Sequence, residues 1–298
     1  MLQKKTYQQQ VYLGALTAGG TRMNSPRRLT DDEANDMPTA WTADSKAVLF
    51  ASDRDGTWGI FKQGISQDTA EAVVTGANGP FNPRLSPDGA FIVYTETPSN
   101  SVGPSTSLRL MRIAVGGGVP QFVLETRNNL DFECARIPAS LCLVLEESQD
   151  EKQVTLTAFD PLKGRGRVVR TMQQEASYFY MADLSPDGTT LAVSRPYQSE
   201  IRIRLLSLSR GADREITVKG WPNIQGINWA PHGKGFYCGS VSPQGHALLY
   251  ADLKGNAQML WQHKVTGGHI WGVPSPDGRY LAIRGEATNS NVWMLEGF

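Results

Sequence analysis

Long apolar stretches are missing from this sequence: no run of about 18 apolar residues occurs, so no transmembrane helix is expected. The N-terminus MLQKKTYQQQ starts basic but has no apolar segment behind it, which argues against a secretion signal. An excess of either charge is also missing, with 29 Lys plus Arg against 29 Asp plus Glu. Such a balance supplies no general attraction to nucleic acid or to an anionic membrane, so neither is expected as a partner. Cysteine is scarce, with only Cys134, Cys142 and Cys238, and no pair has metal-ligand spacing. Cys134 and Cys142 flank one short turn, but counting outward from Pro138-Ala139-Ser140-Leu141 does not place them opposite each other. All three are therefore expected as buried free thiols. Helix-period segments are lacking as well, which excludes βαβ folds.

Turn residues are plentiful. The 30 glycines and 17 prolines are spread along the whole chain, so they punctuate many short elements instead of marking one linker. They also recur. LSPDG stands at Leu85–Gly89 and again at Leu184–Gly188, with PSPDG at Pro274–Gly278, WAPHG at Trp229–Gly233 and a weaker WTADS at Trp41–Ser45. RIPAS, Arg136–Ser140, is a degenerate copy between the first two. Aligned on Ala43, Pro87, Ala139, Pro186, Pro231 and Pro276, the copies are 44 to 52 residues apart, the length of one four-stranded propeller blade. In Ser-Pro-Asp-Gly, proline presets φ for the first corner of a type I turn, and aspartate suits the second. Glycine accepts the left-handed backbone that follows. Apolar runs come directly after, as in Phe91–Tyr94, Leu191–Val193 and Tyr280–Ile283, so each copy reads as a hairpin with a buried second strand.

Six copies predict an all-β chain, a six-bladed β-propeller of four-stranded antiparallel blades closed by pairing N- and C-terminal strands. The predicted division is residues 1–25 as an N-terminal extension with a possible extra strand and 26–298 as a single propeller domain. Strand counting leaves one conflict. Arg27–Thr30 suits the outer strand of the last blade, but Val11–Leu16 and Asn291–Leu295 then compete for the slot beside it. The alternative is an incomplete seven-bladed propeller, excerpted from a longer protein.

The repeated turn with its apolar strand resembles the WD40-like "PD40" repeats of TolB-type propellers, from Pro26 onward. The segment SDRDGTWGIFKQ, Ser52–Gln63, is similar to that family's turn between second and third strands. The runs PRRLT, FDPLKGRGR, ITVKGW and SNVWMLEGF resemble C-terminal propeller regions of bacterial winged-helix regulators and serine/threonine kinases. No kinase signature is present. The resemblance implies a sensor or protein-interaction module and brings no catalytic residues.

Chemistry is otherwise thin. His232, His246, His263 and His269 have no ligand-spaced neighbours and are expected at the surface. Asp53-Arg54-Asp55-Gly56-Thr57 lacks the distal glutamate of a calcium loop and reads as a hairpin turn. Lys163–Arg167 reads as a solvated loop. Glu146-Glu147 and Asp150-Glu151 point alternately and make no catalytic pair, and no G-x-S-x-G elbow occurs. No catalytic residue, metal or cofactor is expected. The candidate ligand site lies three residues before the aligned turn positions, where Ala40, Arg84, Arg136, Asp183, Asn228 and Val273 fall on the innermost strands. The next residues, Trp41, Leu85, Ile137, Leu184, Trp229 and Pro274, suit packing between blades, so alternation turns the first set toward the axis. Arg84, Arg136, Asp183 and Asn228 there suit a small anion, a peptide terminus or a carboxylate side chain. The expected function is non-enzymatic binding of a protein or peptide by a monomer. A metal-dependent hydrolase or lyase and a small-ligand sensor are the alternatives. A free-standing chain would stay in the cytoplasm, whereas one belonging to an exported or membrane-anchored protein would work in the periplasm.

Overall fold

The computed structural model describes residues 2–97, 107–127, 129–136, 139–173, 181–209, 211–265 and 268–293. Ile137 and residues 294–298, on which two of the expectations above rest, lie outside these. The described residues form six antiparallel sheets arranged as the blades of a propeller. Blade one runs Asp36–Trp41, Ala47–Ser52, Gly59–Gly64 and Glu71–Val74, from the inner to the outer strand. The inner strands of blades two to six are Phe81–Leu85, Asn129–Cys134, Met181–Leu184, Ile224–Trp229 and Trp271–Pro274.

The core is divided among the junctions between blades. Six apolar clusters each join one blade to the next; one sets Trp41, Val48 and Phe50 of blade one against Val273 and Ala282 of blade six. This explains the second strands. Successive side chains point to opposite faces, and both faces of a blade are covered by neighbours. Ala47–Ser52 is accordingly buried at every position, and its sequence is a continuous apolar run without alternation.

The ring closes between the termini. Tyr280–Trp293, the second strand of blade six, pairs along its length with Leu2–Thr17, the third strand. Arg22–Met23 and Arg27–Arg28 share the outer edge. Val11–Leu16 is therefore an integral strand of the ring. It does not compete with residues 291–293, because these extend the second strand and pair with residues 2–4.

Among the described residues, the turn that ends the inner strand has a side-chain lock in four of the six blades. In blade two the Ser86 hydroxyl donates to Asp88 Oδ1 (2.5 Å), the Phe91 amide donates to Ser86 Oγ, and the Ala90 amide donates to Asp88 Oδ1. Gly89 completes it at φ 69°. Blades four and six repeat this with Ser185–Asp187 and Ser275–Asp277, and blade one with Thr42–Asp44. The same lock occurs at a second-to-third-strand turn, between Ser148 and Asp150 of blade three.

Blade three departs from expectation at its inner turn. Cys134 and Cys142 are directly opposed across the hairpin, with Cα atoms 4.1 Å apart, and form a disulfide. Ala135 bonds to Leu141, leaving five residues between them, whereas Ser86 and Phe91 enclose four. The turn bond from Ala139 to Arg136 also matches Ala139 to Gly89 and not to Pro87, so the alignment on the turn fails by these two residues and the extra one, and with it the expectation of free thiols. Cys238 alone is a free, buried thiol among the described residues. Two smaller expectations also change. Lys163–Arg167 is not a loop, because Gly164–Gln173 forms the outer strand of blade three and Arg165 pairs with Glu146. His246 is not at the surface but 1% exposed.

Candidate functional site

All inner strands run in one direction along the axis, so their side chains line one channel. Two cavities occupy it, meeting at Thr39, Arg84, Asn228 and Val273. One, of about 320 Å³, opens among the turns that end the inner strands. The other, of about 690 Å³, opens where the strands begin.

Arg84, Asp183 and Asn228 line the first cavity from their inner strands, as alternation requires. Arg136 lines it too, but from the turn of blade three and not from a strand. The strand position equivalent to Arg84, paired to Leu143 as Arg84 is to Val93, belongs to Glu133. Sequence alignment on the turn missed Glu133 for the reason that it missed the disulfide. The apolar run Leu143-Val144-Leu145, counted backward, was the signal that would have found it.

Glu133 is 3% exposed and completes a bidentate pair with Arg84, whose Nε and Nη2 donate at 3.2 and 3.0 Å. Arg84 Nη1 also donates to the Thr39 carbonyl, so one guanidinium ties blades one, two and three together. Alongside, Asn82 Nδ2 donates to Asp131 Oδ1 at 3.0 Å. Asn82 does so from a left-handed backbone, φ 52°, at a register shift in its strand. Such strain in a non-glycine residue is tolerated where surroundings over-determine it. The Trp229 amide donates to Asp183 Oδ2 and its indole to the Asp183 carbonyl, joining blades five and four.

The charges perturb one another. Burial pushes Glu133 up to about 8, with Asp131 and Asp183 adding to the effect and Arg84 opposing it. Burial likewise raises Asp183 to about 6, against the pull of the Trp229 amide and both arginines. Burial opposes the charge on Arg84, but Glu133, Asp131 and Asp183 outweigh it and hold that guanidinium above its ordinary value. Arg136 shifts the other way. Burial lowers it despite Asp183 and Glu133, and its Nη1 is buried without a hydrogen-bond partner.

Among the described residues, no group of three or more His, Cys, Asp or Glu is placed to share a metal ion. The Asp53 carboxylate is engaged by the Asn35 amide and side chain, both at 2.8 Å. The Gly56 amide closes the turn onto the Asp53 carbonyl. A residue that sequence reasoning passed over, Arg284, lies in the larger cavity.

No known family's sequence pattern matches the chain, and no curated protein matches its sequence. Its shape does match solved structures. A TolB-like protein of Agrobacterium tumefaciens superposes with a TM-score of 0.67 at 15% identity, covering 94% of this chain and 98% of that one. A chain of a nidogen–laminin complex gives 0.63 at 11% identity, covering 92% and 97%. The oligogalacturonate lyase of Vibrio parahaemolyticus gives 0.52 at 11% identity, covering 94% and 98%. Identities this low carry fold and not function, and the three proteins differ in what they do. This chain has the fold of the TolB-type six-bladed β-propellers.

Proposed function

We propose that the chain is a protein- or peptide-binding propeller with no catalytic activity of its own, taking an acidic group of its partner at the turn-lined mouth of the channel. One observation carries this reading: Arg136 Nη1 is buried at that mouth and has no acceptor. Its neighbours are already engaged, Arg84 by Glu133 and Thr39, and Asp183 by the Trp229 backbone. A buried donor without an acceptor costs about 1–3 kcal/mol, and a partner carboxylate entering the mouth would remove that cost. The nidogen–laminin likeness and the TolB-like fold are in keeping with a protein partner. The Cys134–Cys142 bridge fits an oxidising compartment, which favours the exported alternative over the cytoplasmic one.

Affinity capture from lysate of the source organism, with wild type and R136Q side by side, tests the reading. A partner held by wild type and lost from R136Q is the expected result. The same partner on both, or a stoichiometric divalent metal in the purified protein, would turn the reading toward another surface or toward an enzyme.

A further inference from the structure

The opposite mouth of the channel has a different character. Its cavity, about 690 Å³, is within the range of small-ligand pockets. Phe81, Met181, Ile227 and Trp271 are among its apolar lining, and Tyr197 stands at it 74% exposed. Tyr197 is also held at φ 60°, a left-handed conformation unusual for a bulky residue. Trp271 is seated by Gly226, where a Cβ would lie 2.3 Å from the Trp271 Cβ, and by its indole bond to the Pro38 carbonyl. Trp271 is therefore held in place.

Two arginines among the described residues line this cavity; Arg84 is already held by Glu133, and the other is Arg284. Arg284 sits directly across the strand pair from Trp271, with its guanidinium carbon 4.4 Å from the ring centroid. Arg284 is 5% exposed, and its Nε is buried without a hydrogen-bond partner. Among the described residues no carboxylate lies within ion-pair distance of it. Glu286, two residues along on the same face, is the charge that acts on it, and that carboxylate accepts from the His269 amide. Burial brings Arg284 down to about 10, which leaves it charged at neutral pH.

A buried guanidinium with only an aromatic face for company is costly unless an anion completes it. We infer that this cavity binds a ligand with an aromatic or branched apolar body ending in a carboxylate, the body against Phe81, Met181 and Trp271 and the carboxylate on Arg284. The planar fork of the guanidinium matches a carboxylate in two parallel hydrogen bonds. A phosphate dianion is disfavoured, because Arg84 is taken up by Glu133, Asp131 also lines the cavity, and Arg284 has Glu286 beside it, so little net positive charge is left. Such a ligand is either a free aromatic or branched-chain acid or the C-terminal residue of a peptide. Phe81, Met181, Trp271 and Arg284 line this cavity and not the Arg136 mouth, although the two cavities meet at Arg84.

The test is calorimetric titration with four probes: N-acetylphenylalanine, its amide, a tetra-alanyl-phenylalanine peptide, and that peptide amidated. Wild type should bind an acid at least about tenfold tighter than its amide. R284Q should abolish that preference, and R284K should restore part of it. Binding of free acid without the peptide assigns a small metabolite, and binding of both acids assigns a chain terminus. Equal affinity for acid and amide, or no binding of any probe at millimolar concentration, overturns the inference. So does an acid preference that survives in R284Q. The acid–amide comparison on wild type stands even where R284Q does not fold, and a lost Arg136 effect leaves this result intact.

Discussion

Blades two and three solve the same problem differently. Each must hold a tight turn at the end of an inner strand while a charged side chain from that strand enters the channel. Blade two does it with Ser86, Asp88 and Gly89, three residues whose hydroxyl, carboxylate and left-handed backbone satisfy one another locally. Blade three has none of these and spends one residue more, but a disulfide spans its strands directly before the turn. The covalent clamp stands where the polar lock is missing. It also fixes Glu133 and Arg136, the residues on either side of Cys134 and Ala135, so the departure from the repeat coincides with the densest charge in the channel.

Breaking the clamp should have the largest effect. A bridge closing so short a loop contributes about 2–3 kcal/mol, so C142A, or wild type under dithiothreitol, should lose about that much in denaturant unfolding. Dithiothreitol should then change C142A no further. Breaking the lock in blade four should cost less. D187A removes an acceptor shared by Ser185 and Thr189 and should lose about 1 kcal/mol at neutral pH. The hydrogen bond from Ser185 holds the Asp187 carboxyl below its ordinary value. Its contribution is therefore present above the unfolded-state value of about 4 and is lost as pH falls through the depressed one. The gap between wild type and D187A should narrow toward pH 3, read from urea midpoints. Building the lock where it is absent sharpens the comparison. The turn of blade five keeps the backbone bond from Gly233 to Ala230 but has Ala230 and His232 in place of serine and aspartate. The double substitution A230S/H232D should gain about 0.5 kcal/mol in the same assay.

The fold was legible because the lock is written in consecutive residues. Ser-Pro-Asp-Gly specifies its turn without reference to the rest of the molecule, and six spaced copies imply a ring. Arg84, Asp183 and Asn228 followed from it, since a fixed number of residues separates each from its turn. In blade three the turn was matched two residues out, Ala139 to Pro87 where its backbone bond matches it to Gly89, and the loop has one residue more; together these put Arg136 in place of Glu133 and concealed the pairing of Cys134 with Cys142. The copy at Ser148–Asp150 escaped notice because it lacks proline and glycine. Arg284 was hidden for another reason. It belongs to a second strand, where the rest of the run Tyr280–Ile283 is apolar, and although the hairpin sets Trp271 opposite it, only the ring brings Phe81 to the same cavity. A lone arginine extending a buried run was the available signal.

Closure of the ring has a consequence for synthesis. The third strand of blade six, Leu2–Thr17, is translated before the five other blades, and the strand it pairs with, Tyr280–Trp293, after them. While the intervening five blades emerge from the ribosome, that first strand waits without its partner, and the growing protein is an arc with two raw edges. Open edges invite wrong pairings. A polypeptide that stops before Tyr280 is consequently not a smaller propeller but an unclosed one, and Tyr280–Trp293 acts as the fastening by which the ring either latches or stays open to proteases.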